Sequence, residues 1–249
     1  MVLSNRSRSH TKSAIFHLGL LICDFMPPDM RGRFADYPAM FAAMFARAGV
    51  AVKWHLYLIY EGQVPQSVDE CDGYITTGSR NGVYDELTWI ADLERFIRRL
   101  QNTTRPLVGI CFGHQAIAQA LGGRVEKSPR SWGIGLHRYQ THAMPKWMVP
   151  PLAEFTVPVC HQDQVISLPS GATVVASSTH CANFIVQFND TMLGIQGHPE
   201  FARAFIEVLI DRRRDSMPAA VRDDAIASLN REVDNLEITR WIAAFLGVK

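Results

Sequence analysis

The chain reads Pro106-Leu107-Val108-Gly109-Ile110-Cys111-Phe112-Gly113-His114-Gln115 near its middle. Residues 106–110 predict a short buried strand, and residues 115–121 predict a helix that ends at the glycine pair 122–123. Cys111 lies in the turn between them. The glycines two residues before and after it lack the β-carbons that would clash in a sharp bend, as in the Gly-x-Ser-x-Gly elbow. The pattern predicts a strand–turn–helix corner that exposes a sulfur at a helix start, where N–H groups and the helix dipole favour the thiolate.

Length and composition limit the other possibilities. The chain has 249 residues, 47% of them hydrophobic, which suffices for one large core without requiring a second domain. A net charge of +1 gives no excess of basic residues that would bind nucleic acid or an anionic membrane. No apolar stretch approaches the roughly 20 residues of a membrane span, and the polar start has no signal-peptide core. Five scattered cysteines fit reduced thiols. We expect a cytoplasmic protein whose partners are small molecules or proteins.

Strands and helices alternate through the first half of the chain. The predicted order is a strand at 14–22, a helix at 37–48, strands at 50–56 and 73–77, a helix at 87–100 and a strand at 107–110. Later strands at 136–140, 174–177, 184–188 and 191–196 lack long helices between them, and the chain closes with helices at 201–214, 219–229 and 236–246. This order predicts an α/β fold whose mainly parallel central sheet has a small antiparallel addition. Residues 1–13 are predicted to be a disordered segment, and 14–249 a single domain with C-terminal helices.

A thiolate that attacks an amide needs a base that returns a proton to the leaving amine, and histidine is the first candidate. Of nine histidines, His198 is preferred because it follows the predicted strand at 191–196 and precedes Pro199 and Glu200. Residues two apart in an extended segment face the same side, so Glu200 can hold the ring of His198, and Pro199 stiffens the link. We therefore predict a catalytic triad of Cys111, His198 and Glu200.

Two motifs together, Gly-Ile-Cys-Phe-Gly-His-Gln at 109–115 and Gly-Ile-Gln-Gly-His-Pro-Glu at 194–200, resemble the class I glutamine amidotransferase family. The resemblance runs from about residue 15 to about residue 205, and it is greatest to stand-alone members similar to the GMP synthase glutaminase domain and to γ-glutamyl peptidases. It implies a flavodoxin-like three-layer sandwich with helices on both faces of the sheet. It also implies hydrolysis of the glutamine side-chain amide, or of a γ-glutamyl amide, through a γ-glutamyl thioester. No cofactor and no metal are expected.

Further site residues surround the proposed nucleophile. The oxyanion of a tetrahedral intermediate needs two N–H donors: Phe112 supplies one, and the second should come from Gly78-Ser79, where the family's Gly-Gly-Pro reads Gly78-Ser79-Arg80. By the resemblance Gln115 lines the glutamine pocket, and its place one helical turn after Cys111 puts both side chains on one face. His161-Gln162-Asp163 matches the loop where relatives bind the amino-acid end of the substrate.

Three functions remain open at this point. The chain is a glutaminase that passes ammonia to a separate synthase, a free-standing hydrolase or peptidase of γ-glutamyl compounds, or a regulatory protein that binds a glutamine-like ligand without turnover. The pairs Cys160-His161 and His180-Cys181 suggest zinc, but adjacent ligands do not match structural zinc spacings. The cysteines other than Cys111 are interpreted as packing residues, and His114 as a packing or supporting residue.

Overall fold

A computed structural model describes residues 15–248, so the predicted disordered segment 1–13 lies outside the described residues. The strands and α-helices of the described chain are β1 (Phe16–Ile22), α1 (Tyr37–Arg47), β2 (Val52–Leu58), β3 (Gly73–Thr76), α2 (Thr88–Leu100), β4 (Leu107–Ile110), α3 (Phe112–Ala120), β5 (Arg124–Lys127), β6 (Gly133–Thr141), β7 (Glu154–His161), β8 (Asp163–Ser167), β9 (Thr173–Ser177), β10 (Ile185–Gln187), β11 (Met192–Ile195), α4 (Arg203–Arg212), α5 (Ala219–Ser228) and α6 (Asn235–Leu246). None of these helices is long and apolar enough to cross a membrane.

One large sheet organises the molecule, with strand order β2-β1-β3-β4-β11-β10-β9-β6-β7. The first five strands in this order, β2 to β11, are parallel to their neighbours. From β11 to β7 each pair of neighbouring strands is antiparallel. The order 2-1-3-4, with β11 in fifth place, is that of flavodoxin-like sheets. Strands β5 and β8 form a separate antiparallel pair. The predicted α/β fold is confirmed, although its antiparallel part is larger than we expected.

Helices cover both faces of the parallel strands. On one face α1 and α6 pack through side chains such as Phe41, Phe45 and Trp241, and on the other face α2 and α3 pack through side chains such as Phe96 and Ile117. Strands β3, β4 and β11 are buried along their whole length for this reason, and they read as apolar runs rather than alternating patterns. Burial of each large apolar side chain contributes about 1.5–3 kcal/mol, and these layers form the core.

The remaining helices cover the antiparallel end. Helices α4 and α5 pack against β6, and α4 also packs against β7. Their apolar residues form a third cluster, to which Phe205, Ile206 and Ile210 belong together with Met30 and Ile134. This cluster brings the end of α4 beside the carboxyl edge of the parallel strands, where ligands bind in open α/β sheets.

Candidate active site

Cys111 lies at the junction of β4 and α3. Its backbone angles are φ 51° and ψ −100°, a conformation that residues with a β-carbon rarely adopt. A β-carbon on Gly109 would come within 2.5 Å of the carbonyl carbon of Gly113, and one on Gly113 would lie 1.5 Å from Oγ1 of Thr76. Both glycines are therefore required for the bend, as predicted. Helix α3 starts at Phe112, three residues earlier than the apolar pattern indicated.

His198 and Glu200 follow β11, which pairs in parallel with β4. Because parallel neighbours end at the same edge of a sheet, the two residues reach the edge where Cys111 lies. Nδ1 of His198 donates a hydrogen bond to Oε1 of Glu200 at 2.8 Å, and the imidazole stacks on Phe201 with ring centroids 4.1 Å apart. The structure thus brings the three predicted triad residues together.

The side chains of Cys111 and Glu200 flank the ring of His198. Burial lowers the pKa of this imidazole, but the charges of Cys111 and Glu200, and its hydrogen bonds with both, outweigh burial and raise the pKa of His198 well above its ordinary value. His198 is only 4% exposed and Glu200 3% exposed, so solvent screens these interactions little. The raised pKa favours the protonated imidazole, and a cation beside a cysteine sulfur is the setting in which a reactive thiolate is stabilised.

The predicted oxyanion donors lie beside Cys111. Gly78 follows β3, and a β-carbon there would be 2.8 Å from Cε1 of His198 and 3.5 Å from the β-carbon of Cys111. Within residues 15–248, the N–H groups of Gly78, Ser79 and Phe112 donate to no other group. They are free to donate to a substrate oxygen.

Arg80 stands where the family has proline, and it holds the end of this loop in another way. Its N–H donates to Oδ2 of Asp24 at 3.0 Å, and its guanidinium Nε donates to the same carboxylate at 2.9 and 3.0 Å. The guanidinium also lies over the ring of Phe25, 4.3 Å from its centroid. An ion pair therefore anchors the loop after Ser79.

A cavity of about 330 Å³ opens beside Cys111. Gln115 lines it, as predicted, but the side-chain N–H groups of Gln115 are already used: they donate to the carbonyl oxygen of Asp163 at 2.8 Å and to Oε1 of Gln196 at 3.1 Å. Only the amide oxygen of Gln115 is left for a polar ligand.

The predicted substrate loop at 161–163 is a tight connection between two strands, because His161 ends β7 and Asp163 begins β8. All three residues line the same cavity as Cys111. Burial, with the charges of nearby histidines, lowers the pKa of His161 well below its ordinary value, so that ring is neutral. Burial raises the pKa of Asp163, although the hydroxyl of Tyr84 donates to its carboxylate at 2.9 Å.

The remaining histidines and cysteines form no metal cluster of three ligands in the described part of the chain. His161 and His180 do approach each other, with ring centroids 6.0 Å apart. His114 is fully buried against Phe188, and burial lowers its pKa to about 3, so the ring is neutral. It packs α3 against the sheet.

Sequence reasoning missed three residues of the site. Gln196 is fully buried and its amide donates to Sγ of Cys111 at 3.5 Å. Its position two residues before His198 was the available signal, because alternate residues of an extended segment share a side. Cys160 packs against the third apolar cluster, as interpreted, but it is half-buried and also lines the cavity together with Cys111. Arg213 lines the same cavity from the end of α4.

The fold and the site define an α/β protein with a cysteine, a histidine and a glutamate at the carboxyl edge of its sheet. The chain belongs to the class-I glutamine amidotransferase family, whose sequence profile matches residues 41–204. Members of this family are amidotransferases and hydrolases, and the chain is an enzyme of that general kind.

Individual relatives extend this assignment. The chain is 29% identical over 205 residues to γ-glutamyl peptidase 3 of Arabidopsis thaliana, covering 79% of this chain and 81% of the peptidase. It is 35% identical over 130 residues to a GMP synthase (glutamine-hydrolysing) of Macrococcus caseolyticus, covering 51% of this chain but 24% of the synthase. A glutamine amidotransferase structure from Thermotoga maritima superimposes with a TM-score of 0.73 over 93% of this chain and 98% of that one, at 18% identity. That likeness shows the fold.

Proposed function

We propose that this protein hydrolyses the C–N bond of a γ-glutamyl amide or peptide through a thioester on Cys111. The observation that carries the proposal is the buried imidazole of His198, held between Cys111 and Glu200 beside a cavity that a substrate can enter. A buried histidine whose pKa is raised by a neighbouring cysteine and a carboxylate is the arrangement expected of an acid–base catalyst.

The proposed reaction has two halves. The thiolate of Cys111 attacks the γ-carbonyl carbon, a C–S bond forms, and the N–H groups of Phe112 and of Gly78-Ser79 stabilise the oxyanion. The C–N bond then breaks as His198 gives its proton to the leaving amine. In the second half His198 takes a proton from water, the oxygen attacks the thioester, and the C–S bond breaks to release glutamate and the thiolate. Glu200 holds the ring in position throughout.

A γ-glutamyl peptide is the preferred substrate class. The γ-glutamyl peptidase relative aligns over 79% of this chain and 81% of its own length, whereas the match to GMP synthase reaches 24% of the synthase. The second candidate is a glutaminase that gives ammonia to a separate synthase, and the GMP synthase match is the observation that favours it.

The test is to give the purified protein glutamine and γ-glutamyl dipeptides separately, without a partner, and to measure released glutamate. Mass spectrometry of the quenched reaction should show a γ-glutamyl adduct on Cys111. Cys111→Ala should lose the adduct and all turnover, and His198→Ala should lose about 10²–10⁴-fold in rate.

Three results would distinguish the alternatives. Turnover of dipeptides by the isolated protein supports the peptidase. Turnover of glutamine that begins only when a synthase is added supports the ammonia donor. Binding of glutamine-like ligands with no adduct and no turnover under either condition would leave the non-catalytic regulator, and it would refute the proposed chemistry.

A further inference from the structure

Arg213 is a positive group at the site that the proposed mechanism does not use. It follows α4 and lies outside the segment matched by the family profile. It lines both the 330 Å³ cavity beside Cys111 and a smaller cavity of about 60 Å³. Its charge acts within the site, because it opposes the effect of burial that raises the pKa of Cys160.

The guanidinium of Arg213 has no anionic partner among residues 15–248. The two adjacent arginines do have anionic partners: Arg212 pairs with Asp29, and Arg214 pairs with Asp211. The other arginine of the smaller cavity, Arg80, is already paired with Asp24.

Trp132 holds Arg213 in place. The guanidinium lies over the indole ring, 5.2 Å from its centroid, and Nε1 of Trp132 donates to the carbonyl oxygen of Ser216 at 3.1 Å. This hydrogen bond fixes the turn after α4 to the segment before β6. A half-buried, stacked and unpaired guanidinium is suited to bind a planar anion such as a carboxylate through two hydrogen bonds.

In the proposed mechanism the smaller cavity receives the leaving group. His198 lines it, whereas Gln115 and the 161–163 connection line only the larger cavity. Because His198 must protonate the leaving amine, the part of the substrate beyond the scissile bond has to enter the cavity that His198 lines. In a leaving α-amino acid a single carbon separates amine and carboxylate, so the carboxylate stays near Arg213.

We infer that Arg213 binds the carboxylate of the leaving amino acid and selects γ-glutamyl peptides over γ-glutamyl amides whose leaving group is uncharged. This inference rests on the proposed function. It assigns Arg213 a role in specificity, with the γ-glutamyl half of the substrate held by the larger cavity.

The test compares two substrates with the same acyl half, γ-glutamylglycine and γ-glutamylethylamide, of which only the first carries a carboxylate on its leaving group. For Arg213→Gln we expect kcat/KM for γ-glutamylglycine to fall about 10- to 100-fold, mainly through KM, because a hydrogen-bonded charge pair is lost. The value for γ-glutamylethylamide should change less than about twofold. Arg213→Lys should recover part of the loss, since it keeps the charge but not the paired donors.

Arg214→Gln is the matched control, because Arg214 is adjacent but lines neither cavity. Melting temperatures of all variants show whether the fold is retained. An equal loss with both substrates, or no loss with either, would overturn the role of Arg213, as would a wild-type protein that hydrolyses glutamine but no peptide. A wild-type protein that hydrolyses none of these compounds would instead refute the proposed function itself.

Discussion

At the scale of single residues, the charge on His198 depends on its two neighbours, Cys111 and Glu200. Cys111 is the proposed nucleophile, and Glu200 has no other proposed task than to hold the ring. Oε2 of Glu200 is buried and has no hydrogen-bond partner within the described residues, so Oε1 makes its one contact with the imidazole. A buried carboxylate whose second oxygen is unpaired is costly to keep, which fits a residue retained for its charge.

Glu200→Gln should therefore shift the pH profile of the reaction. The carboxylate raises the pKa of His198, so its removal lowers that pKa, and the imidazole loses its proton at a lower pH. We expect the alkaline limb of kcat/KM to move to lower pH, and the rate to fall by less than the 10²–10⁴-fold expected for loss of the base.

The measurement is kcat/KM against pH for the wild type, Glu200→Gln and the exposed control Glu207→Gln. The alkaline limb of the profile reports the coupled ionisation of Cys111 and His198 rather than that of His198 alone. An alkaline limb that stays in place, or that moves to higher pH, would contradict the role given to Glu200.

At the scale of elements, the corner between β4 and α3 tolerates no added atoms. A β-carbon on Gly109 would meet backbone atoms of Gly113 and His114 at 2.5–2.6 Å, and a backbone cannot turn away as a flexible side chain can. Gly109→Ala should lower the free energy of unfolding by about 3 kcal/mol, at the upper end for overpacking, and should displace Cys111 enough to remove activity.

Gly171→Ala is a suitable control for this substitution. Gly171 has φ +83° but open space around it, so alanine there should cost about 1–2 kcal/mol and leave activity unchanged. Urea unfolding measured beside activity tests both variants. A fully active, fully stable Gly109→Ala protein would show that the corner is less constrained than its geometry indicates.

Helices and strands with a regular pattern of apolar residues were predictable from the sequence, and those with an irregular pattern were not. The buried runs of β3 and β4 and the apolar face of α2 lie close to their predicted ranges. Strand β7 was missed because Pro158 interrupts it, and a proline is tolerated there since β7 is an edge strand. The short strand β5 was missed because only one of its four residues is buried. Its pairing with β8 depends on contacts distant in sequence.

At the scale of the whole molecule, the five cysteines differ sharply in their surroundings. Burial raises the pKa values of Cys23, Cys71, Cys160 and Cys181, and this favours the unreactive thiol. Cys111 lines both cavities at the site and has a protonated imidazole beside it.

We expect one equivalent of iodoacetamide at pH 7 to label Cys111 well before the other four cysteines in the native protein. After unfolding, all five should react at similar rates. Peptide mapping by mass spectrometry identifies the modified residue, and His198→Ala should slow the labelling of Cys111. Faster labelling of Cys160 than of Cys111 would contradict the proposed thiolate–imidazole pair.

The triad candidates were predictable because each lies in a compact motif at the end of an apolar strand. Other residues that line the two cavities were not predicted, because they come from distant segments: Arg213 from the end of α4, Cys160 from β7, and Asp24 from the loop after β1. No local pattern marks such residues. Only the folded sheet, with α4 packed across its edge, brings them beside Cys111.

Strand β11 lies at the centre of the sheet although it comes late in the sequence. During synthesis, β1 to β4 leave the ribosome first, and the proposed nucleophile emerges well before its histidine. Until Met192–Ile195 inserts beside β4, His198 is not held beside Cys111, so we expect an unfinished or truncated chain to lack the proposed activity. If the proposed reaction takes place, its turnover will report directly on completed folding of this protein.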